Sequence, residues 1–253
     1  MIYRNERRFP GRDGAELAWR EIGAGRPVVL LHGLLGSGSL LSVSGPAQAL
    51  AGHGYRVILP DLRGHGDSAR PHDPARYPPD VLADDGLALI GYLGLSGYCL
   101  AGYSLGGKIV LRLLARGARP ARAVVGGQGL DALDAESGRT DGYRRLLAAV
   151  ASGAAFAPGS PEAAFADWIT QTGADPRAVS LVLDSSVATP REALAEVPTP
   201  VLVVAGEQDS RGASAAELTA LLPNGRLALV PGDHLTALDA PEFTAAVLDF
   251  LGA

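Results

Sequence analysis

The sequence has one cysteine, Cys99, one lysine, Lys108, and one methionine, at its first position. A single cysteine excludes an intrachain disulfide. Its apolar neighbours in Gly97-Tyr-Cys-Leu-Ala101 read as surroundings for a small buried hydrophobe, not a reactive thiol. With lysine nearly absent, the 22 basic residues are almost all arginine; they face 27 acidic ones, for a net charge of −5. They are dispersed along the chain, which excludes the clustered basic footprint of a nucleic-acid binder. No apolar run approaches the roughly 20 residues that span a bilayer. The stretch Met1-Ile-Tyr-Arg-Asn-Glu-Arg-Arg8 lacks the apolar region of a signal peptide. The expectation is a cytoplasmic protein with neither membrane nor nucleic-acid partners. Repeats, low-complexity tracts and a Ser/Gly or Pro-rich linker are also missing, so one domain with an insertion is expected.

What the sequence does hold is ample core material: 47% hydrophobic against 19% charged residues. Short β-branched runs at 17–22, 28–31, 56–59, 98–103, 123–125, 201–205 and 227–230 read as strands. They alternate with segments of helical period at 40–52, 80–93, 105–116, 213–222 and 241–251. That pattern predicts an α/β fold, a mostly parallel central sheet flanked by helices on both faces. The stretch 128–197 breaks it, being Ala-rich, helix-like and without a convincing strand. It is too long for an ordinary connection. It reads as a helical cap inserted into a core made of 1–127 and 198–253, with Tyr143, Phe156, Phe165 and Trp168 as its aromatics.

Chemistry enters with Gly102-Tyr-Ser-Leu-Gly106, just past the run that ends at Ala101. In so glycine-rich a chain, chance supplies Gly-x-Ser-x-Gly in roughly one sequence out of four, so context must decide. A nucleophilic serine needs a base and a group that orients the base. On a strand-to-helix elbow the partners follow in the order Ser, Asp or Glu, His. Only His234 of the five histidines lies after Ser104, which forces the assignment of the base. For the acid, Asp209 ends Val201-Leu-Val-Val-Ala-Gly-Glu-Gln-Asp209, a strand running into a loop. Glu207, Asp131 and Asp233 are the alternatives, Asp233 reading better as a turn former. All these positions fall at strand carboxyl ends, where parallel sheets place their sites. An oxyanion needs backbone donors. Leu34, in the Gly-bearing loop after 28–31, and Leu105, after the serine, are the candidates, with Gly33 keeping that loop close to Ser104. Gly64-His-Gly-Asp-Ser-Ala69 has the outline of a dinucleotide fingerprint but runs into Arg70-Pro71, not into a helix. His32, His65 and His72 lack ligand spacing, so no metal is expected.

Together, His32-Gly33, Asp61-Leu-Arg-Gly-His-Gly-Asp-Ser68, the elbow, Asp209 and His234 resemble the α/β-hydrolase superfamily over nearly the whole chain. The resemblance implies Ser104 as nucleophile, His234 as base then acid, Asp209 as orienting carboxylate, and the Leu34 and Leu105 amides as oxyanion hole. It also implies that Gly102 and Gly106 are small because the elbow is tight. Epoxide hydrolases and haloalkane dehalogenases of this fold carry Asp where Ser104 stands, which argues against those activities. Asp233 departs from the family, many of whose members have Gly before the histidine. The implied function is a cofactor-free serine hydrolase of a small carboxylic ester or lactone, with Tyr103, Tyr143, Phe156, Phe165 and Trp168 as candidate substrate contacts. The same triad in this fold also serves carbon–carbon bond hydrolysis, haloperoxidase-like chemistry, a menaquinone-pathway-like lyase reaction and ligand-sensing receptors. Fold alone does not choose among them, and oligomeric state stays open.

Overall fold

A computed structural model describes residues 6–135 and 138–252. The first five residues of the N-terminal stretch considered above lie outside the described residues. The strands are β1 (Arg7–Pro10), β2 (Glu16–Gly23), β3 (Arg26–Leu31), β4 (Tyr55–Pro60), β5 (Cys99–Tyr103), β6 (Arg122–Gly126), β7 (Val201–Gly206) and β8 (Gly225–Val230). They form one sheet in the order β1-β2-β4-β3-β5-β6-β7-β8. β1 and β4 each pair with β2 antiparallel, and every other pairing is parallel. β5 and β7 are buried along their whole length. That is why they read as continuous apolar runs and not as alternating ones: helices cover both faces.

The helices are α1 (Gly38–Ser42), α2 (Gly45–Gly52), α3 (Val81–Tyr92), α4 (Leu105–Ala115), α5 (Gly138–Ala151), α6 (Pro161–Thr172), α7 (Pro176–Asp184), α8 (Arg191–Ala195), α9 (Ala215–Ala220) and α10 (Pro241–Gly252). One face of the sheet packs on α3, α4 and α9 through Leu82, Leu89, Leu111, Leu113 and Leu218. The other packs on α2 and α10 through Leu50, Val247 and Phe250. Between β6 and β7 come α5 to α8. There Leu147, Ile169 and Val179 bury against Leu35 of the core in a small cluster of their own.

Two details differ from the pattern reading. The helix expected at 40–52 is two helices, because Ser44 caps α2 by accepting from the Ala47 amide and Pro46 sits in its first turn. β1 escapes the pattern because Arg7-Arg-Phe-Pro10 buries only Phe9. Among the described residues, no helix is long and apolar enough to cross a membrane.

Candidate active site

β5 ends at Tyr103 and α4 begins at Leu105, so one residue makes the whole turn between strand and helix. That residue is Ser104, at φ 55° and ψ −118°. A side chain at positive φ outside glycine costs on the order of 1–3 kcal/mol and persists only where the surroundings impose it. The impositions are visible. The Ser104 amide donates to the Gly126 carbonyl at 2.9 Å, while the Ser104 carbonyl accepts from the Lys108 amide and from Gln128 Nε2. A Cβ on Gly102 would stand 2.4 Å from the Gly106 carbonyl, and one on Gly106 would stand 2.2 Å from the Leu31 oxygen. Only glycine lets strand and helix approach this closely, and Oγ is thereby lifted onto the carboxyl edge of the sheet.

Two loops at that edge meet the serine. His234, between β8 and α10, has Nε2 2.9 Å from Ser104 Oγ. Its Nδ1 lies 2.8 Å from Asp209 Oδ2 in the loop after β7. Burial pushes the Asp209 carboxyl up, but the His234 hydrogen bond, the Arg211 amide and the charges of both residues outweigh it and hold the group below the usual range. Asp233 instead turns away to accept from the Leu235 and Thr236 amides, each at 3.0 Å. It is the turn former its position suggested. Glu207 is exposed, and Asp131 lies across the site on a cavity wall. Of the four carboxylates considered, Asp209 is the one brought to the imidazole.

The cavity beside Ser104 has a volume of about 150 Å³ and includes Leu34, Leu105 and Tyr143 in its wall. Leu105 opens α4, so its amide is among the N-terminal donors without an intrahelical acceptor. A Cβ on Gly33 would reach ordinary contact, 3.4 Å, with the Ser104 Cβ, so the loop carrying Leu34 runs directly against Ser104.

A family model for the alpha/beta hydrolase fold matches residues 26–145. A hydrolase of solved structure from Pseudomonas aeruginosa superposes with a TM-score of 0.79 at 26% identity, covering 99% of this chain and 100% of that one. The chain is an α/β-hydrolase-fold protein. An enol-lactonase from Burkholderia xenovorans shares the fold at TM-score 0.73 and 25% identity, covering 98% of this chain and 100% of that one. A non-heme haloperoxidase from Rhodococcus erythropolis is 38% identical over 120 residues, 45% of this chain and 40% of that protein. The matched stretches span well under half the length of the curated relatives.

The remaining candidate residues of this α/β-hydrolase-fold protein fall in different places. Of the five aromatics considered as substrate contacts, only Tyr143 lines the cavity. Tyr103 lies behind the histidine, its hydroxyl donating to the His234 carbonyl at 2.8 Å. Phe165 packs on the Tyr143 ring at 5.7 Å between centroids. Phe156 is half-buried in the loop between α5 and α6, and Trp168 is 52% exposed. Helices α5 to α7 bury a small apolar cluster of their own, and Phe165 packs against it and away from the cavity. Pattern reading missed Arg211, whose Nη1 donates to Ser104 Oγ at 3.3 Å. Its signal was slight: an arginine two positions past the acid, in the same strand-end loop.

The glycine loop at 64–69 serves the scaffold. The Asp61 carboxylate accepts from the Gly38 amide at 2.6 Å and the Asp67 amide at 2.9 Å, and a Cβ on Gly66 would stand 2.5 Å from that carboxyl group. His32 and His65 are buried with ring centroids 5.0 Å apart. Among the described residues, no group of three His, Cys, Asp or Glu is placed to hold a metal ion.

Proposed function

We propose that this α/β hydrolase cleaves a small carboxylic ester or lactone through an acyl-enzyme on Ser104. The observation that carries the reading is the unbroken hydrogen-bonded line Asp209, His234, Ser104, with spacings of 2.8 and 2.9 Å, ending on the wall of a cavity of about 150 Å³. Such a volume takes a molecule the size of benzene, which suits a short acyl group. Helices α5 to α8, within 128–197, act as the cap: Tyr143, Val182 and Leu183 close the cavity from that side.

In the reaction, Ser104 Oγ attacks the carbonyl carbon as His234 Nε2 takes its proton. The negative oxygen of the tetrahedral intermediate rests on the Leu34 and Leu105 amides. The intermediate collapses, the carbon–oxygen bond to the alcohol breaks, and the proton on Nε2 passes to the departing oxygen. Water then attacks the acyl carbon, gives its proton to Nε2, and releases the acid as Ser104 is reprotonated. Asp209, ionised throughout, holds the imidazole in the required tautomer and balances its charge. These steps consume only substrate and water.

Steady-state hydrolysis of 4-nitrophenyl acetate and butyrate tests the reading. Ser104→Ala is expected to lower kcat on the order of 10⁴- to 10⁶-fold with the fold intact by circular dichroism. Turnover undiminished in that variant would remove Ser104 as nucleophile.

A further inference from the structure

Arg211 is unusual among the arginines here in what its guanidinium touches. Nη1 donates to Ser104 Oγ at 3.3 Å and Nη2 donates to the Tyr143 hydroxyl, whose ring lies 5.5 Å from the guanidinium carbon. Both partners are neutral oxygens. Among the described residues, no carboxylate lies within 4 Å of this guanidinium, whereas Arg63, Arg112 and Arg116 are each paired with Asp. The acids on the cavity wall are Asp80 and Asp131; Asp80 is bound to Arg112 and Arg116. Lys108 shares that wall, its ammonium donating to the Asp134 carbonyl. The charged side chains of the described wall are thus Lys108, Arg112 and Arg211 against Asp80 and Asp131.

A half-buried guanidinium with neutral partners has unspent capacity for an anion. The planar fork matches a carboxylate with two parallel hydrogen bonds. Its place beside the nucleophile fixes where that carboxylate would sit: near the carbonyl under attack, on the cavity side held by Tyr143. The alcohol departs toward His234, which protonates it, so the fork is left to the acyl portion. We propose that Arg211 selects acyl groups bearing a carboxylate, so that the natural substrate is a short half-ester of a dicarboxylic acid or a lactone carrying a carboxylate. This rests on the acyl-enzyme reading above and adds the charge of the substrate to it.

The side chain can be changed without dismantling the triad, because the hydrogen bond that Arg211 gives Asp209 comes from its main-chain amide, at 2.8 Å from Oδ1, and the guanidinium adds only its charge. A pair of esters of similar size isolates the charge: monomethyl succinate and methyl levulinate, followed by titration of released acid. The native protein is expected to prefer the succinate ester. Arg211→Gln should lower the ratio of kcat/KM for the succinate ester to that for the levulinate ester by about 10- to 100-fold, the range of a lost charge-assisted hydrogen bond, beyond any loss common to both esters from the contact with Ser104 Oγ. Arg211→Lys should recover part of the loss. Equal loss on both esters, or no preference in the native protein, overturns the proposal while leaving the serine hydrolase standing. If neither ester is hydrolysed in a Ser104-dependent way, it is the proposed function that fails. Calorimetric titration of succinate into Ser104→Ala protein reads the same site without turnover. Binding that vanishes when Arg211→Gln is added supports the anion site, and binding that is absent or indifferent to Arg211 removes it.

Discussion

Ser104 keeps its φ of 55° because three backbone and side-chain hydrogen bonds close around it, from its own amide to Gly126 and from Lys108 and Gln128 to its carbonyl. The same economy governs His234. Tyr103 anchors its carbonyl, the Asp233 turn sets the loop, and Asp209 takes Nδ1. Asp209→Asn would leave these contacts nearly in place but no longer impose the tautomer that presents an acceptor to the serine. A fall in kcat on the order of 10⁴-fold is expected, with thermal stability near that of the native protein. Retention of most activity in that variant would show that orientation of the ring does not depend on the carboxylate. Tyr103→Phe removes one hydrogen bond to the His234 carbonyl. A loss of about 1 kcal/mol in urea unfolding is expected, with a modest fall in kcat.

At the scale of the element, the elbow works because β5, the turn and α4 lie closer together than side chains permit. Gly106→Ala places a methyl group 2.2 Å from the Leu31 oxygen, against a strand that cannot move without breaking its pairing with β5. Overpacking of this sort costs about 1–3 kcal/mol or more. The variant should therefore unfold at lower denaturant and lose the proposed esterase activity together, since the strained turn and the core share the contact. Gly52→Ala is the control: its Cβ would meet nothing within 4 Å, and stability should hold or rise slightly. The strands of this layout were legible because buried parallel strands are unbroken apolar runs. β1 was not, because a strand with one inward residue carries no period. The division of 40–52 was legible in principle, from Ser44 two residues ahead of Pro46.

Across the whole molecule, buried polar groups tie distant segments together. Arg63, with no exposed side-chain surface, bonds to Asp85 of α3, to Asp13 near the N-terminus and to the Arg76 carbonyl. Arg63→Leu would strand the Asp85 carboxylate in the interior, and a loss of about 3–5 kcal/mol is expected, partly restored by adding Asp85→Leu. His32 and His65 give the fold a pH dependence. Burial lowers the pKa of His32 to about 4; burial, with the neighbouring His32, lowers that of His65 to about 3. Both are depressed relative to the unfolded value of 6.5, so the unfolded chain binds more protons as pH drops below it. The stability they contribute is therefore complete above pH 6.5 and is lost as pH falls toward 4 and then 3. Each adds a slope of at most about 1.4 kcal/mol per pH unit. Denaturant midpoints measured from pH 7 downward should show this slope, and His65→Gln should flatten it.

The reach of the sequence follows from which interactions are local in the chain. Glycines two residues either side of Ser104, apolar runs that end in polar loops, and a single histidine downstream of the serine are properties of short segments and of chain order. Backbone sterics and strand direction alone bring a serine, a carboxylate and an imidazole together at one sheet edge. The cavity is another matter. Which aromatic of 128–197 faces the serine depends on how α5, α6 and α7 fill their own small core, so Tyr143 lines the cavity while Phe165 packs behind it and Trp168 points to solvent. Arg211 reaches Ser104 across 107 residues of sequence and Tyr143 across 68. No periodicity encodes such contacts, because a long, flexible side chain goes where tertiary packing leaves room and an acceptor. The grouping of Ser104, His234 and Asp209 was thus written in local pattern, and the shape and charge of the cavity beside them were decided by packing.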